Sequence, residues 1–486
     1  MKAAVVWFRE DLRMADNPAL VEAADRAQEV FPVFVNEAPG RWPTGSAARV
    51  FRRAALEALD KRLAALGAPL TVLEGDPRKV LPDFARATGA GLVSWNRRYD
   101  PDGIAVDTAV KADLSGWLEV RSFASRLMLE PFDVANRTGK PFLVFTPFYR
   151  HCHARYRPAG PLSAPDALGR HSRHPNASAP GAGRTFAAAR AGLAEDGPWA
   201  RRLEAAWEIS EQGAWRQFDR FAADALDAYE RGRDVPAAAG VSRLSPYLHF
   251  GLITPRQLWH ALEGLSGERG SPREAGIDAF VRQLFWRDFA HHLLFHFPET
   301  AERPLKRSWD AFPWCAPEPS VLEAWQRGRT GYPFVDAGMR ELWATGWMHN
   351  RVRMVVGSFL TKHLGIHWVE GARWFWDTLV DADAANNTLG WQWVAGCGAD
   401  AAPYFRIFNP TTQGQKFDPD GRYIRCWLPE LARLPDRHLH APDAAPAEVR
   451  AAAGVELGRD YPRPLVAHRP AREAALARYD VIKGAK

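Results

Sequence analysis

The run AAVVWF (Ala3–Phe8), passing at once into REDLR (Arg9–Arg13), decides the fold. Six residues rich in β-formers end at a cluster of charges. The same kind of run returns at Val30–Val35, Leu70–Glu74, Leu92–Trp95 and Leu118–Phe123, with helical stretches between. Short strands that alternate with helices read as an α/β domain on a parallel sheet, Rossmann-like in its winding. The first strand is not followed by G-x-G-x-x-G, and the chain contains no G-x-x-x-x-G-K-[ST]. Neither a dinucleotide fingerprint nor a P-loop is therefore present.

The chain has 486 residues, room for roughly two to four domains with real cores. Apolar residues at 47% and charged residues at 25% are ordinary globular values and indicate neither a disordered chain nor a membrane protein. No apolar run approaches the roughly 18 residues of a spanning helix, and Arg9, Glu10, Asp11 and Arg13 interrupt the start before a secretory segment could form. A cytoplasmic protein is expected. Cys152, Cys315, Cys397 and Cys426 lie far apart without a C-x-x-C pair, which argues against a disulfide framework and a zinc or iron–sulfur site; no metal is expected. Lys plus Arg at 63 against Asp plus Glu at 57 gives +6, a balance that permits a nucleic-acid partner. Twenty tryptophans exceed what packing alone uses and suggest stacking or redox work.

Between about Arg157 and Pro198 the chain turns rich in Pro, Ala, Gly and Ser and reads as a surface connector; the sequon at Asn176 is there a chance match. Trp215, Phe218, Phe221, Leu226 and Tyr229 then recur at helical spacing, and helical patterning continues to about Leu434. The expected division is an α/β domain over residues 1–130, a connector over 131–198 and a large all-α domain over 199–486. No fixed-period repeat points to a solenoid.

Four segments of the helical part are dense in chemistry. Val241-Ser242-Arg243-Leu244-Ser245-Pro246 is a small-polar turn opening a helix, able to hold a phosphate at the positive helix end or simply to cap it. Gln283–Phe289 is followed by His291, His292 and His296; the last two stand one turn apart, but no third ligand accompanies them, so packed histidines compete with a metal. In Gly346–Met354, Asn350, Arg353 and Met354 fall at i, i+3 and i+4 and present an amide, a guanidinium and a thioether on one face, suited to a phosphate and a ring or to pairing a neighbouring carboxylate. Asp381-Ala382-Asp383, Asn386-Asn387, Gly390–Trp393 and Tyr404–Pro410 form the fourth, its carboxylates reading as acceptors for a polar ligand.

In this order the four segments resemble those of the photolyase/cryptochrome family. With Trp7–Arg13 and Asp16-Asn17 at the start and Trp427–Leu431 near the end, the likeness runs over nearly the whole chain. Phe312–Trp314 and Tyr332–Trp343 resemble in particular plant cryptochromes and bacterial class III photolyases. The resemblance implies an α/β antenna domain, a connector and a helical domain that binds FAD in a U-shape. Carried over by position, Tyr229, Ser242, Leu244 and Ser245 hold the FAD phosphates and ribityl chain. Only the backbone N–H of Val241 serves where relatives often have threonine, so somewhat weaker FAD binding is expected. Arg287, Asn350 and Arg353 add polar contacts, charge-assisted for the arginines, and Asp381 and Asp383 face the flavin and its neighbours. Asn387 faces the reactive ring nitrogen; repair enzymes resembling this chain have Asn there and plant cryptochromes Asp, whose proton the amide lacks. Trp391, Trp368 and Trp314 match the tryptophan chain that carries electrons from the surface, although alignment with some relatives puts Cys315 in the place of Trp314.

In relatives that split cyclobutane pyrimidine dimers, the flipped lesion sits between aromatic walls. Trp286 and Trp393 would be those walls, with Asn350 and Met354 touching the bases and Arg233, Arg351 and Arg406 reaching the flanking phosphates. Gln283 departs from the pattern, because most dimer-repairing relatives have Glu there. A Gln amide donates to a base carbonyl but cannot share a proton with it, so slower repair is expected. Photolyases for (6-4) lesions have Gln here, but also two histidines where this chain has Asn350 and Met354. The resemblance thus implies light-driven dimer repair first, a cryptochrome photosensor second and a (6-4) photolyase third. The sequence stops soon after the segment Arg472 to Lys486 begins, where a signalling cryptochrome would be expected to carry a long C-terminal extension, which is read against the photosensor. UV-damaged DNA is the implied partner, the expected state is a monomer and no membrane is involved. Methenyltetrahydrofolate is the expected antenna chromophore, with a deazaflavin as alternative and Trp42 or the sheet edges as its lining.

Overall fold

The computed structural model describes residues 1–37, 42–169, 183–400 and 405–483; Asn176 and Tyr404 lie outside them. Two compact units result, Met1–Arg220 with Arg243–Pro298, and Phe221–Ser242 with Glu299–Lys486, so the chain passes between them three times.

The first unit is built on the expected sheet. Its strands are β1 (Ala3–Phe8), β2 (Glu29–Asn36), β3 (Thr71–Glu74), β4 (Leu92–Asn96), β5 (Glu119–Phe123) and β6 (Arg184–Thr185), in the order β5-β4-β1-β2-β3-β6. The first five pair in parallel, with Val5 opposite Phe31 on one side and Val93 on the other, whereas β6 runs antiparallel to β3. All six residues of β1 are buried, as in a strand covered on both faces. Three crossover helices open on the same dipeptide logic: α1 (Pro18–Arg26), α3 (Pro77–Thr88) and α4 (Pro101–Leu114) each begin with Pro behind an Asx cap, with α2 (Ser46–Ala65) between. Asn17, Asp76 and Asp100 accept from Leu20, Arg78 and Gly103 N–H at 3.2, 3.0 and 2.8 Å, while the proline sits where a missing N–H costs nothing.

The charged run after β1 is architecture. Asp11 accepts from the Arg9 N–H and the Asn96 amide, both at 2.6 Å, and Asn96 also donates to Asn17 at 2.8 Å. Arg13 donates to the carbonyls of Gly251 and Asp16 at 3.0 and 2.6 Å. Gly251 has φ +64°, and a Cβ there would stand 2.3 Å from the Glu10 carbonyl oxygen, so only glycine fits.

Residues read as a connector carry more structure than their composition suggests. Helix α5 (Phe145–Arg155) buries Phe145, Phe148 and Cys152, and after β6 the helix α6 (Phe186–Leu193) buries Phe186, Ala189 and Leu193. Two strand residues and one apolar stripe are too short a pattern to rise above a Pro-, Ala- and Gly-rich background.

The second unit is helical, as expected. The helices Pro333–Thr345, Asn350–Ser358, Trp368–Thr378 and Ala384–Ala395 surround a core holding Val352, Val355, Val356, Trp368, Phe375 and Trp391, with a π-helical turn at Phe359–His363. A Cβ on Gly371 would lie 2.1 Å from the Trp391 ring, so this glycine lets the Trp368–Thr378 helix close on the indole. Among the described residues no helix is long and apolar enough to cross a membrane, and no group of three His, Cys, Asp or Glu is placed to hold a metal ion.

Candidate functional site

Of the residues expected to hold the cofactor, the lesion or the electron chain, Leu244, Ser245, Gln283, Trp286 and Arg287 belong to the first unit, as do His291, His292 and His296, and the rest belong to the second. In the first unit, Arg243 takes φ +52° and the helix Ser245–His249 starts directly after it, with Leu244 rather than a serine in the cap position. The turn therefore opens a helix as expected, but without a side-chain cap. The helix Pro272–His296 carries Gln283, Trp286 and Arg287. Gln283 donates its amide to the Ala279 carbonyl at 3.1 Å, one turn back. Trp286 lies face to face with Phe145, ring centroids 3.7 Å apart and planes 8° apart. The buried Arg287 donates to the carbonyls of Arg126 at 2.8 Å and Leu248 at 3.4 Å. Beside it, burial pushes the Asp288 carboxyl up to about 7, against the opposing pull of Arg287 and of the Leu129 and Met128 N–H groups.

The two histidines one turn apart are packed. His292 accepts from the Phe142 N–H at 3.0 Å, and His296 pairs with the Pro131 carbonyl at 3.2 Å. Burial lowers the pKa of His292 to about 3, so it stays a neutral acceptor.

In the second unit Tyr229 is buried against Phe221, and burial raises its hydroxyl to about 12. Arg233 closes the short helix Tyr229–Gly232, its guanidinium 5.9 Å from the Tyr229 ring, while Val241 and Ser242 are half-buried in the turn beyond. Asn350 and Met354 are neighbours, amide nitrogen to sulfur 3.9 Å, as the i, i+4 spacing requires. Arg351 pairs with Asp234 at 2.7 Å and lies over the Phe417 ring; Arg353 grips Asp381 at 2.8 and 3.1 Å and donates to the Met348 carbonyl. Arg353 thus takes the carboxylate-holding alternative left open by the sequence, at least on one side of its fork.

Asp383 is an N-cap, accepting from the N–H of Asn386 at 2.9 Å. Asn387 donates its amide to the Ala372 carbonyl at 3.0 Å, which fixes the group and turns its Oδ1 the other way. Four residues on, Trp391 is buried among Phe375 and Trp325, with ring centroids at 4.9 and 6.2 Å. Trp368 is buried and Trp314 half-buried, and the ring of His367 contacts both, with centroids at 5.6 and 4.9 Å respectively. Cys315 donates its N–H to Gly365 and packs its sulfur there, leaving the ring contact with His367 to Trp314. Trp393 donates to the Asp400 carbonyl at 3.1 Å, and Arg406 is exposed beside Phe408.

Sequence reasoning missed Phe145, Asp234 and His367, whose contacts are made across the fold and leave no local signal. It also missed His349, whose Nδ1 caps the Asn350–Ser358 helix at 3.2 Å and whose pKa burial lowers to about 4. The helical unit thus holds the Asn387 amide, an Arg353 guanidinium paired with Asp381, and the buried Trp368 and Trp391.

A parallel-sheet unit followed by a helical unit of this chemistry defines a class, and sequence comparison gives it a name. Residues 4–166 match DNA photolyase, and residues 280–481 match the FAD binding domain of DNA photolyase; the chain belongs to the DNA photolyase family, within which cryptochromes also fall. Among individual relatives, the deoxyribodipyrimidine photo-lyase of Agrobacterium fabrum is 45% identical over 99% of this chain and 98% of its own length. Cryptochrome-2 of Arabidopsis thaliana is 39% identical over 97% of this chain and 78% of its own. The crystal structure of a bacterial class III photolyase from Agrobacterium tumefaciens superposes with a TM-score of 0.93, at 45% identity and covering 99% of this chain and 98% of that one.

Proposed function

We propose that this protein repairs cyclobutane pyrimidine dimers in DNA under blue or near-ultraviolet light. The observation that carries the reading is Asn387: with its N–H held by Ala372, it presents a carbonyl and has no acidic proton to give. Such a group suits a flavin kept reduced for repair rather than one that settles as a protonated radical. Reduced FAD, when bound and excited, would supply the electron that opens the dimer ring and would take it back once the two bases have parted, so that the cycle has no net redox change. Tyr229, Ser242, Leu244, Ser245, the Val241 backbone, Arg287, Asn350, Arg353, Asp381 and Asp383 would hold the cofactor. Trp286 and Trp393 would stack on the flipped lesion, Asn350 and Met354 would touch its bases, and Arg233, Arg351 and Arg406 would meet the flanking phosphates. Trp391, Trp368 and Trp314 would relay electrons inward when the flavin must first be reduced.

The domain division at residues 130 and 198 is the functional one within this reading: antenna, connector, catalytic part. The protein acts as a monomer in the cytoplasm. Its second chromophore is methenyltetrahydrofolate, with a deazaflavin as the alternative; release on denaturation and mass spectrometry would identify it, and FAD alone would refute the antenna.

The test is prereduced protein with an oligonucleotide bearing one thymine dimer, in light and in darkness. Light-dependent restoration of both thymines supports the proposal. Gln283 favours the second reading, a photosensor: no restoration, with FAD bound and photoreducible, would establish that instead and leave a (6-4) lesion as the next substrate to try.

A further inference from the structure

We propose that Phe145 is the residue that positions Trp286 as a flat wall for the lesion, an inference that rests on the repair reading above. Trp286 is half-buried on the helix Pro272–His296, one turn from Gln283, and an indole so placed would ordinarily sample several rotamers. Here it does not stand alone. Phe145, buried at the first turn of α5, covers one of its faces at 3.7 Å and 8°. Near-coplanar rings at this separation are not what their quadrupoles prefer, so the neighbours must hold the arrangement. Phe289 does so edge-on to both rings, with centroids at 5.8 Å from Phe145 and 5.8 Å from Trp286 and planes at 67° and 75°. Arg282, one turn before Trp286, sets its guanidinium 4.9 Å from the centroid of Phe145 and 4.9 Å from that of Tyr149, a cation–π clasp on the α5 side of the stack.

One consequence is geometric: with Phe145 on one face, only the opposite face of the indole can receive a base. The other is energetic. The ring is ordered when the chain folds, so stacking of the lesion does not have to immobilise it, and binding gains by preorganisation. Phe145 itself touches no substrate and acts through Trp286.

The experiment compares Phe145→Leu, Phe145→Tyr, Trp286→Leu and the double variant Phe145→Leu/Trp286→Leu. The readouts are the Kd for a dimer-containing oligonucleotide, the Kd for the same undamaged oligonucleotide, and photoreduction of bound FAD. Phe145→Leu is expected to weaken dimer binding about ten-fold, within the range of one base–aromatic stack, with the other two readouts at wild-type values. Phe145→Tyr, which keeps the stack, restores binding, and the double variant is no weaker than Trp286→Leu. Unchanged dimer binding in Phe145→Leu, or losses that add in the double variant, would overturn the inference. If Phe145→Leu does not retain FAD, Phe145→Met, which keeps the volume without a ring, carries the same expectation. Wild-type protein that neither prefers nor repairs the dimer removes the repair reading and this inference together; wild-type repair with an unperturbed Phe145→Leu removes this inference alone.

Discussion

Gln283 spends its N–H on the carbonyl of Ala279, so the side chain lies back along its own helix. A carboxylate cannot make that bond, because both groups would be acceptors, and a glutamate here would swing free of the helix. Gln283→Glu is therefore expected to raise dimer repair per absorbed photon several-fold, measured with prereduced protein. An unchanged yield would show that this position does not limit repair. Asp288 makes a second residue-scale prediction. Its Oδ2 accepts from Met128 and Leu129 N–H at 2.8 and 3.1 Å, an arrangement an asparagine oxygen can reproduce. The folded-state pKa of about 7 lies above the unfolded value of 3.8, so stability is complete below about pH 3.8 and drains away as pH rises to about 7. Asp288→Asn escapes this loss. Its melting temperature should match wild type near pH 4 and exceed it above pH 7, by an amount worth on the order of 4 kcal/mol. A difference that does not grow with pH would contradict the assignment.

Whole elements show why some of the molecule was legible and some was not. The five parallel strands and the Asn17-Pro18, Asp76-Pro77 and Asp100-Pro101 helix starts are written locally, in apolar runs and cap chemistry that act over a few residues. Strand β6 was not legible, since two residues exposed on a sheet edge carry no period. Asp383 shows a mixed case: the sequence marks it as an acceptor, and the structure uses it as the cap of the very helix that carries Asn387 and Trp391. The close meeting of that helix with Trp368–Thr378 depends on Gly371, which local patterning could not reveal because the contact is with a ring twenty residues on. Gly371→Ala should push the helices apart, costing about 1–3 kcal/mol of stability as overpacking does, and should slow flavin photoreduction; native melting and photoreduction together would contradict it. Trp391→Phe keeps the packing but removes the readily oxidised indole. Photoreduction should then fail while prereduced protein still repairs, and unchanged photoreduction would take Trp391 out of the route.

At the scale of the whole molecule, acid is the expected weakness. Burial lowers His292 and His363 to about 3 and His349 to about 4, all below the ordinary value of 6.5. The unfolded chain then takes up protons first as pH falls, so this stability is intact above about pH 6.5 and is lost progressively down to pH 3–4, the opposite sign to Asp288. Urea midpoints measured from pH 7 to pH 4 should fall by several kcal/mol in equivalent stability; a flat profile would mean the imidazoles are accessible. Composition and periodicity announce both halves of this chain, yet not how contacts group, because grouping is a long-range property. The three passages of the chain between its two units carry a consequence for biosynthesis. Strands β1 to β5 are all synthesised by residue 123, but the helix against which Phe145 and Phe148 pack ends only at His296. At roughly 5–20 residues per second, the ribosome leaves that greasy face of α5 uncovered for on the order of ten to thirty seconds. Nascent chains stalled near residue 260 should be cut by protease within α5, and those stalled well beyond Pro298 should resist.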